Sequence, residues 1–519
     1  MRISFVHILV IILVKILSLH SEASMSLQKF QEKPQLVVLV VIDQFRSDYL
    51  TRFSDTFLPP KDKSGKIGGF KFLMSSGAYY PFAHYNLFQA MTCPGHATIM
   101  TGSYPSDTGI SMNEWYDRDS GEMTYCVKDS EFGVSPRRLK TTTVSDELKN
   151  IDKKSKVVSL ALKDRAAIMM GGQRADQVYW MDEKKLQWMT SSYYSNGVLS
   201  NWVKNSNEKL SSLAGKSYEW KELKRSVPMN DPKVMISPFG IETTIDLAML
   251  ALEKEKLGQI KGQTDFLLIS LSSHDYVGHL YGPNSPEMAS MTTIEDQQLS
   301  RFFNQIQSHV GLQSTVVVLT GDHGIPPASD YLKDKKIKSD RIDYIALFKR
   351  IYSKLDEKYG VPKNGPWIIA YKYFNFYLNP KVLAEKKLEN SELSQEIKKI
   401  LLTESGVSAV YTRDELLKGQ IAPGTWATAL VNQFVFANNG DIIFMPEPFY
   451  YEKTDAFVTH MTGYNYDTRV PLIISGAPFK AGVYTEYAQV IDLAPTLSFI
   501  MNIVSPPKAR GRVLSEAIK

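Results

Sequence analysis

"QLVVLVVID", residues 35–43, is the stretch that decides the fold. Its apolar residues run without a polar interruption, most are β-branched, and the run closes on an acid. A strand with one wet face would alternate apolar and polar residues. A run without alternation is a strand covered on both faces, as in the parallel sheets of α/β proteins. Four more runs are of the same kind: "KVVSLAL" (156–162), "DFLLISLSSHD" (265–275), "STVVVLTGDHG" (314–324) and "VPLIISG" (470–476). Helical periodicities lie between them, such as "TTIDLAMLALEKEKL" (243–257) and "IEDQQLSRFFNQIQSHV" (294–310). This alternation predicts a doubly wound, mostly parallel α/β sheet with helices on both faces.

Residues 174–235 and 325–455 fit the rhythm poorly. The first stretch is aromatic and polar; the second mixes lysine-rich helical patterns with "WIIAYKYFNFYLN" and "DIIFMPEPFYY". Both are expected to be insertions capping the active-site edge of one catalytic domain, 24–519. Tyr179, Trp180, Trp188 and Tyr193 either line a leaving-group pocket or pack in a core; the sequence leaves both open.

With 519 residues, 43% hydrophobic and 22% charged, the chain reads as globular rather than disordered. A formal charge of +5 gives no argument for a nucleic-acid partner. Met1-Arg2, the apolar run Ile3 to Val14 and the small-residue end Ser21-Glu22-Ala23 follow the layout of a secretory signal. The run falls well short of the ~20 residues a membrane span requires. The expectation is an exported protein starting near Ser24, periplasmic or secreted, without a stable membrane anchor and monomeric. Cys93 and Cys126 are the two cysteines, paired or free.

Ligands of open α/β sheets bind at the carboxyl ends of the strands. Here those ends carry Asp43; His274, Asp275 and His279; Asp322 and His323; and, before the last strand, His460. A lone acid at a strand end is usually a cap. Together these oxygen and nitrogen donors suit Zn²⁺, and two such sets suit a metal pair for in-line phosphoryl displacement. His84, His96 and His309 read as packed or surface histidines, and His274 needs that reading first too.

The ordered motifs "VIDQFR", "TCPGHATIMTG", "MNEW", "LKDRAA", "DYVGH", "GDHG" and the late "TH" before "YDTRVPLI" resemble the alkaline phosphatase superfamily. They are most similar to its phosphate-irrepressible branch with a threonine nucleophile, related to nucleotide pyrophosphatase/phosphodiesterases. The resemblance implies two zinc ions per chain. One site would be built by Asp275, His279 and His460, the other by Asp43, Asp322 and His323, with Thr92 as ligand and nucleophile. Relatives commonly carry glycine after the late histidine, where this chain has Met461.

Thr92 opens what reads as a helix, with Pro94 suited to its first turn and free N–H groups facing an incoming phosphate. Cys93 has a rival claim, since sulfatases of this superfamily modify a cysteine within Cys-x-Pro-x-Arg; here Pro94 follows Cys93 directly and the arginine is missing. The resemblance gives Asn113 the role of a hydrogen-bond donor to the phosphoryl group. Lys163 and Arg165 supply two cations, which favour a doubly charged phosphate monoester over a diester. The expected activity is phosphate monoester hydrolysis through a phosphothreonine, releasing inorganic phosphate. A pyrophosphatase or phosphodiesterase is the alternative, and an inactive metal-stabilised binding protein the second.

Overall fold

The side chains of β1 (Leu36–Ile42) are all buried and divide by parity between two hydrophobic cores. Leu36, Val38, Val40 and Ile42 enter one layer; Val37, Leu39 and Val41 enter the other. Successive Cβ atoms point to opposite sides of a sheet, so an unbroken apolar run is what a doubly covered strand requires. Burying each such side chain contributes about 1.5–3 kcal/mol.

The computed structural model describes residues 33–519 apart from 422, 423 and 425, and places β1 in the middle of a nine-stranded sheet. The other strands are β2 (Gly77–Tyr80), β3 (Val157–Ala161), β4 (Gln177–Asp182), β5 (Gln187–Met189), β6 (Asp265–Leu271), β7 (Thr315–Gly321), β8 (Leu472–Ser475) and β9 (Gly482–Val483). Their order is β9-β2-β8-β7-β1-β6-β3-β4-β5. The central five, β7 to β4, run parallel, while β8 runs against both its neighbours. This is the expected mostly parallel α/β sheet. Ile42 pairs with Leu271 and with Gly321, so β1, β6 and β7 end level and their next residues emerge along one edge.

Residues 177–189 differ from the sequence reading. They fall in the first expected insertion, yet β4 extends the main sheet beside β3 and β5 folds back along it. Bulky rings in place of β-branched residues disguise the strand. Tyr179, Trp180 and Trp188 are buried in the cores, and the half-buried Tyr193 donates its hydroxyl to the Gln173 carbonyl. Their packing accounts for them without a leaving group.

Within 325–455 the chain forms a smaller antiparallel sheet. Its strands are Ile368–Lys372, Asn375–Leu378, Ile442–Pro446 and Val407–Thr412, in that spatial order, over a separate core containing Trp367, Phe374, Phe376 and Phe444. The expected signal, 1–23, lies outside the described residues. Among those described, no helix is long and apolar enough to cross a membrane.

Candidate active site

The level strand ends bring the acids together. Asp43 follows β1, Asp322 follows β7, and the short turn after β6 enters the helix Ser273–Tyr281, which carries Asp275 and His279 one turn apart. The ligand atoms of Asp43, Asp322 and His323 lie within 4.8 Å of one another, as do those of Asp275, His323 and His460. His279 joins through Asp275, with Nε2 3.2 Å from Oδ1. The rings of His323 and His460 stack at 3.8 Å, so the two sets abut.

Hydrogen bonds assign one tautomer to all three histidines. Nδ1 of His279, His323 and His460 faces the carbonyl of Val458, Gly324 and Ala90 at 2.9, 3.0 and 2.8 Å. A carbonyl only accepts, so Nδ1 carries the hydrogen in each; His323 and His460, kept neutral by burial, turn the Nε2 lone pair inward, whereas burial would lower His279 but the adjacent Asp275 raises it. Nε2 of His323 then faces Asp43 Oδ1 at 3.4 Å and Asp322 Oδ2 at 3.5 Å. All three atoms are buried without a hydrogen-bond partner. Burial holds His323 below its ordinary range, and burial with His323 and His279 nearby holds His460 well below it. Burial, then the neighbouring Asp43, pushes Asp322 well above the usual carboxylate range. Burial would raise Asp275 too, but His279 and Lys163 carry it well below. An orphaned buried polar atom costs roughly 1–3 kcal/mol. Inward-facing lone pairs beside carboxylates are relieved by a cation, and this nitrogen and oxygen set fits zinc.

Thr92 is the first residue of the helix Thr92–Thr101, whose N-cap, Met91, is extended. Gly95 lies where a Cβ would come 2.5 Å from the Asp322 carbonyl oxygen, so the helix can approach the acids only because that position is bare. Cys93 is disulfide-bonded to Cys126, which resolves the pairing and removes Cys93 as a free nucleophile. The Cys93 N–H donates to Asn113 Oδ1 at 2.8 Å, which leaves the Asn113 Nδ2 hydrogens for another acceptor.

Lys163 caps the helix Asp164–Gly171, and its Nζ donates to Asp43 Oδ2 at 2.6 Å and to Asp275 Oδ2 at 2.5 Å. Burial lowers its pKa, but Asp275 and Asp43 more than offset this, so it stays charged. Arg165, in the first turn of that helix, donates to the Tyr125 hydroxyl at 3.3 Å, and its Nε is buried without a partner. Asp43, Asp275, His279, Asp322, His323 and His460 therefore meet with Lys163 at one strand edge, while Asn113 and Arg165 are placed by their bonds to Cys93 and Tyr125.

A family model described as type I phosphodiesterase / nucleotide pyrophosphatase matches residues 37–462. The chain belongs to that family. It is 30% identical to alkaline phosphatase PafA of Elizabethkingia meningoseptica, over 94% of this chain and 95% of that protein. Alkaline phosphatase PhoV of Synechococcus elongatus is 29% identical over 94% and 93%. The crystal structure of wild-type PafA superposes with a TM-score of 0.85 at 29% identity, covering 94% of this chain and 99% of that one.

Some residues around this family site escaped the sequence reading. Gln44, next to Asp43, donates its N–H to Asp322 Oδ1 at 2.9 Å and its Nε2 to Asp275 Oδ1 at 2.6 Å, so it braces one acid from each set. Its φ of 67° turns the amide inward. "VIDQ" displays the residue but not the angle. His96 is the packed histidine expected, held between Thr92 O at 2.9 Å and Ser270 Oγ at 3.0 Å. His274 sits on the Glu295 carboxylate at 3.0 Å and takes the structural role. Met461 stands at φ 96°, left-handed backbone that favours glycine, the residue the resemblance leads one to expect there.

Proposed function

We propose that the protein is a zinc-dependent phosphate monoester hydrolase, an alkaline phosphatase, acting through a phosphothreonine at Thr92. One observation carries the reading: the orphaned lone pairs of Asp43, Asp322 and His323 lie together at the strand edge that also gathers Lys163. Asp275, His279 and His460 would hold one zinc ion; Asp43, Asp322, His323 and Thr92 would hold the other. When bound, the metal pair lowers the pKa of the threonine hydroxyl and offsets charge on the leaving oxygen.

The Thr92 oxygen attacks phosphorus in line as the bond to the leaving alcohol breaks. The N–H groups opening the helix and its dipole favour the anionic phosphoryl group. Asn113 Nδ2, Arg165 and Lys163 offer donors to its equatorial oxygens, the positioned electrostatic help on which phosphoryl transfer depends. Water then cleaves the phosphothreonine, releasing inorganic phosphate and restoring the hydroxyl. Two cations match a dianionic monoester better than a monoanionic diester. The alkaline phosphatase relatives, which match nearly end to end, support the same choice. One chain supplies every residue named, so we take the enzyme to be an exported monomer acting on small phosphate monoesters.

The family description favours diester cleavage as a second reading. Hydrolysis of p-nitrophenyl phosphate against bis-p-nitrophenyl phosphate, by zinc-loaded wild type and Thr92→Ala, separates the two. A monoester preference abolished by Thr92→Ala is expected. Diester preference would move the protein to the phosphodiesterase reading, and zinc binding without turnover to that of a binding protein.

A further inference from the structure

The smaller sheet meets the site through one tight turn. Lys372 pairs with Asn375, so Tyr373 and Phe374 alone connect their strands. Both have left-handed backbone, φ 49° and 63°. Asn-Gly is the usual sequence for such a turn, because L side chains resist this conformation, and strained positions persist only where the surroundings over-determine them. Phe374 is explained by its own packing: it is fully buried, its ring 4.8 Å from Phe444 in the core of the smaller sheet. Tyr373 is not. Its half-buried ring packs against the cluster around the nucleophile helix, away from its own sheet's core.

The surroundings clamp this turn to the site. The Tyr373 carbonyl accepts from Gln89 Nε2 at 2.5 Å and from Asn375 Nδ2 at 2.8 Å. Gln89 lies three residues before Thr92. The same Asn375 amide reaches Met112 Sδ at 3.4 Å, and Met112 precedes Asn113. Lys372 Nζ lies 4.8 Å over the Tyr373 ring and pairs with Glu114, the residue after Asn113, at 2.5 Å. Arg165 is near enough to act on the tyrosine hydroxyl electrostatically. The strained turn thus holds an aromatic ring against the cluster that includes Met91 and Cys93, the residues flanking Thr92, and within electrostatic reach of Arg165.

We propose that Tyr373 is a specificity-determining residue, the wall of a leaving-group subsite that selects phosphate monoesters whose alcohol carries a flat aromatic ring. This deepens, and rests on, the monoesterase reading. Offset stacking between ring and leaving group holds ground state and transition state alike, so it acts through KM.

The test compares phenyl phosphate with methyl phosphate on the zinc-loaded full chain, for wild type, Tyr373→Asn and Tyr373→Phe. Asparagine tolerates left-handed backbone, so the turn survives, and the relieved strain offsets the lost ring packing to keep Tm within a few degrees of wild type. For Tyr373→Asn we expect about a tenfold loss of kcat/KM on phenyl phosphate, carried by KM, and methyl phosphate within about twofold. Tyr373→Phe, which keeps the ring, should stay within about twofold on both substrates. No change in Tyr373→Asn, or an equal loss on both substrates, would overturn the subsite while leaving the monoesterase reading intact. A wild type that turns over neither substrate would overturn that reading and the subsite with it.

Discussion

Gln44, Tyr373 and Met461 each hold left-handed backbone around the candidate ligands without being glycine, at φ 67°, 49° and 96°. Such positions cost on the order of 1–3 kcal/mol and persist where neighbours over-determine them. At Met461 the determinant is double. His460, the preceding residue, is pinned by its Nδ1 to the Ala90 carbonyl, and the methionine side chain packs against both the smaller sheet's core and the nucleophile-helix cluster. Removing the side chain relieves strain but loses packing and adds unfolded-state freedom, terms of similar size and opposite sign. On the proposed zinc reading, Met461→Gly is therefore expected to hold added zinc as the wild type does and change stability by no more than about 1 kcal/mol. Met461→Ile puts a β-branched residue at the same angle and should lose about 2 kcal/mol or more, with weaker zinc retention as His460 shifts. Thermal melts with metal analysis distinguish the two, and equal losses would show that the side chain, not the backbone angle, matters at 461.

At the scale of elements, the hairpin Glu114–Asp117 and Glu122–Tyr125 is tied to the helix Thr92–Thr101 by two links and closed at its own base by a third, all around one amide. These are the Cys93–Cys126 disulfide, the Cys93 N–H on Asn113 Oδ1 and the Cys126 N–H on the Asn113 carbonyl. Replacing both cysteines by serine should cost about 3–4 kcal/mol for a crosslink spanning 33 residues. If the links also orient Asn113, kcat on p-nitrophenyl phosphate should fall about tenfold at a temperature where the variant remains folded. A lower Tm with unchanged kcat would leave the disulfide a purely structural role. The sequence made parts of this legible. The unbroken run of β1 and the acids ending the strands could be read because doubly covered parallel strands leave a simple signature. The disulfide could not, since spacing along a chain says nothing of approach in space. The amide orientation of Asn113 likewise depends on a hydrogen bond made 20 residues away. β4 went unread because its rings obey no β-branched pattern.

For the whole molecule, the main sheet and the strand-edge chemistry were readable, whereas the join between the two sheets was not. That join includes a buried acid with no place in the sequence argument. Glu452 sits on the strand Tyr450–Glu452, which pairs with Asp340–Ile342. It is 8% exposed, and burial, only partly offset by Lys372 and Tyr371, pushes its pKa up from 4.5 to about 7. The folded state therefore holds a proton that the unfolded chain releases between pH 4.5 and about 7. Stability follows the difference in bound protons, so it falls as pH rises through that window, and above it the full penalty persists. The size is on the order of 3 kcal/mol, at about 1.4 kcal/mol per pKa unit. Glu452→Gln keeps the shape and never ionises. It should match the wild type at about pH 4.5, exceed it increasingly as pH rises to about 7, and keep a constant margin of several degrees in Tm above that. A Tm difference that does not change with pH would mean that Lys372 leaves Glu114 to pair with Glu452 and keeps it ionised in the fold.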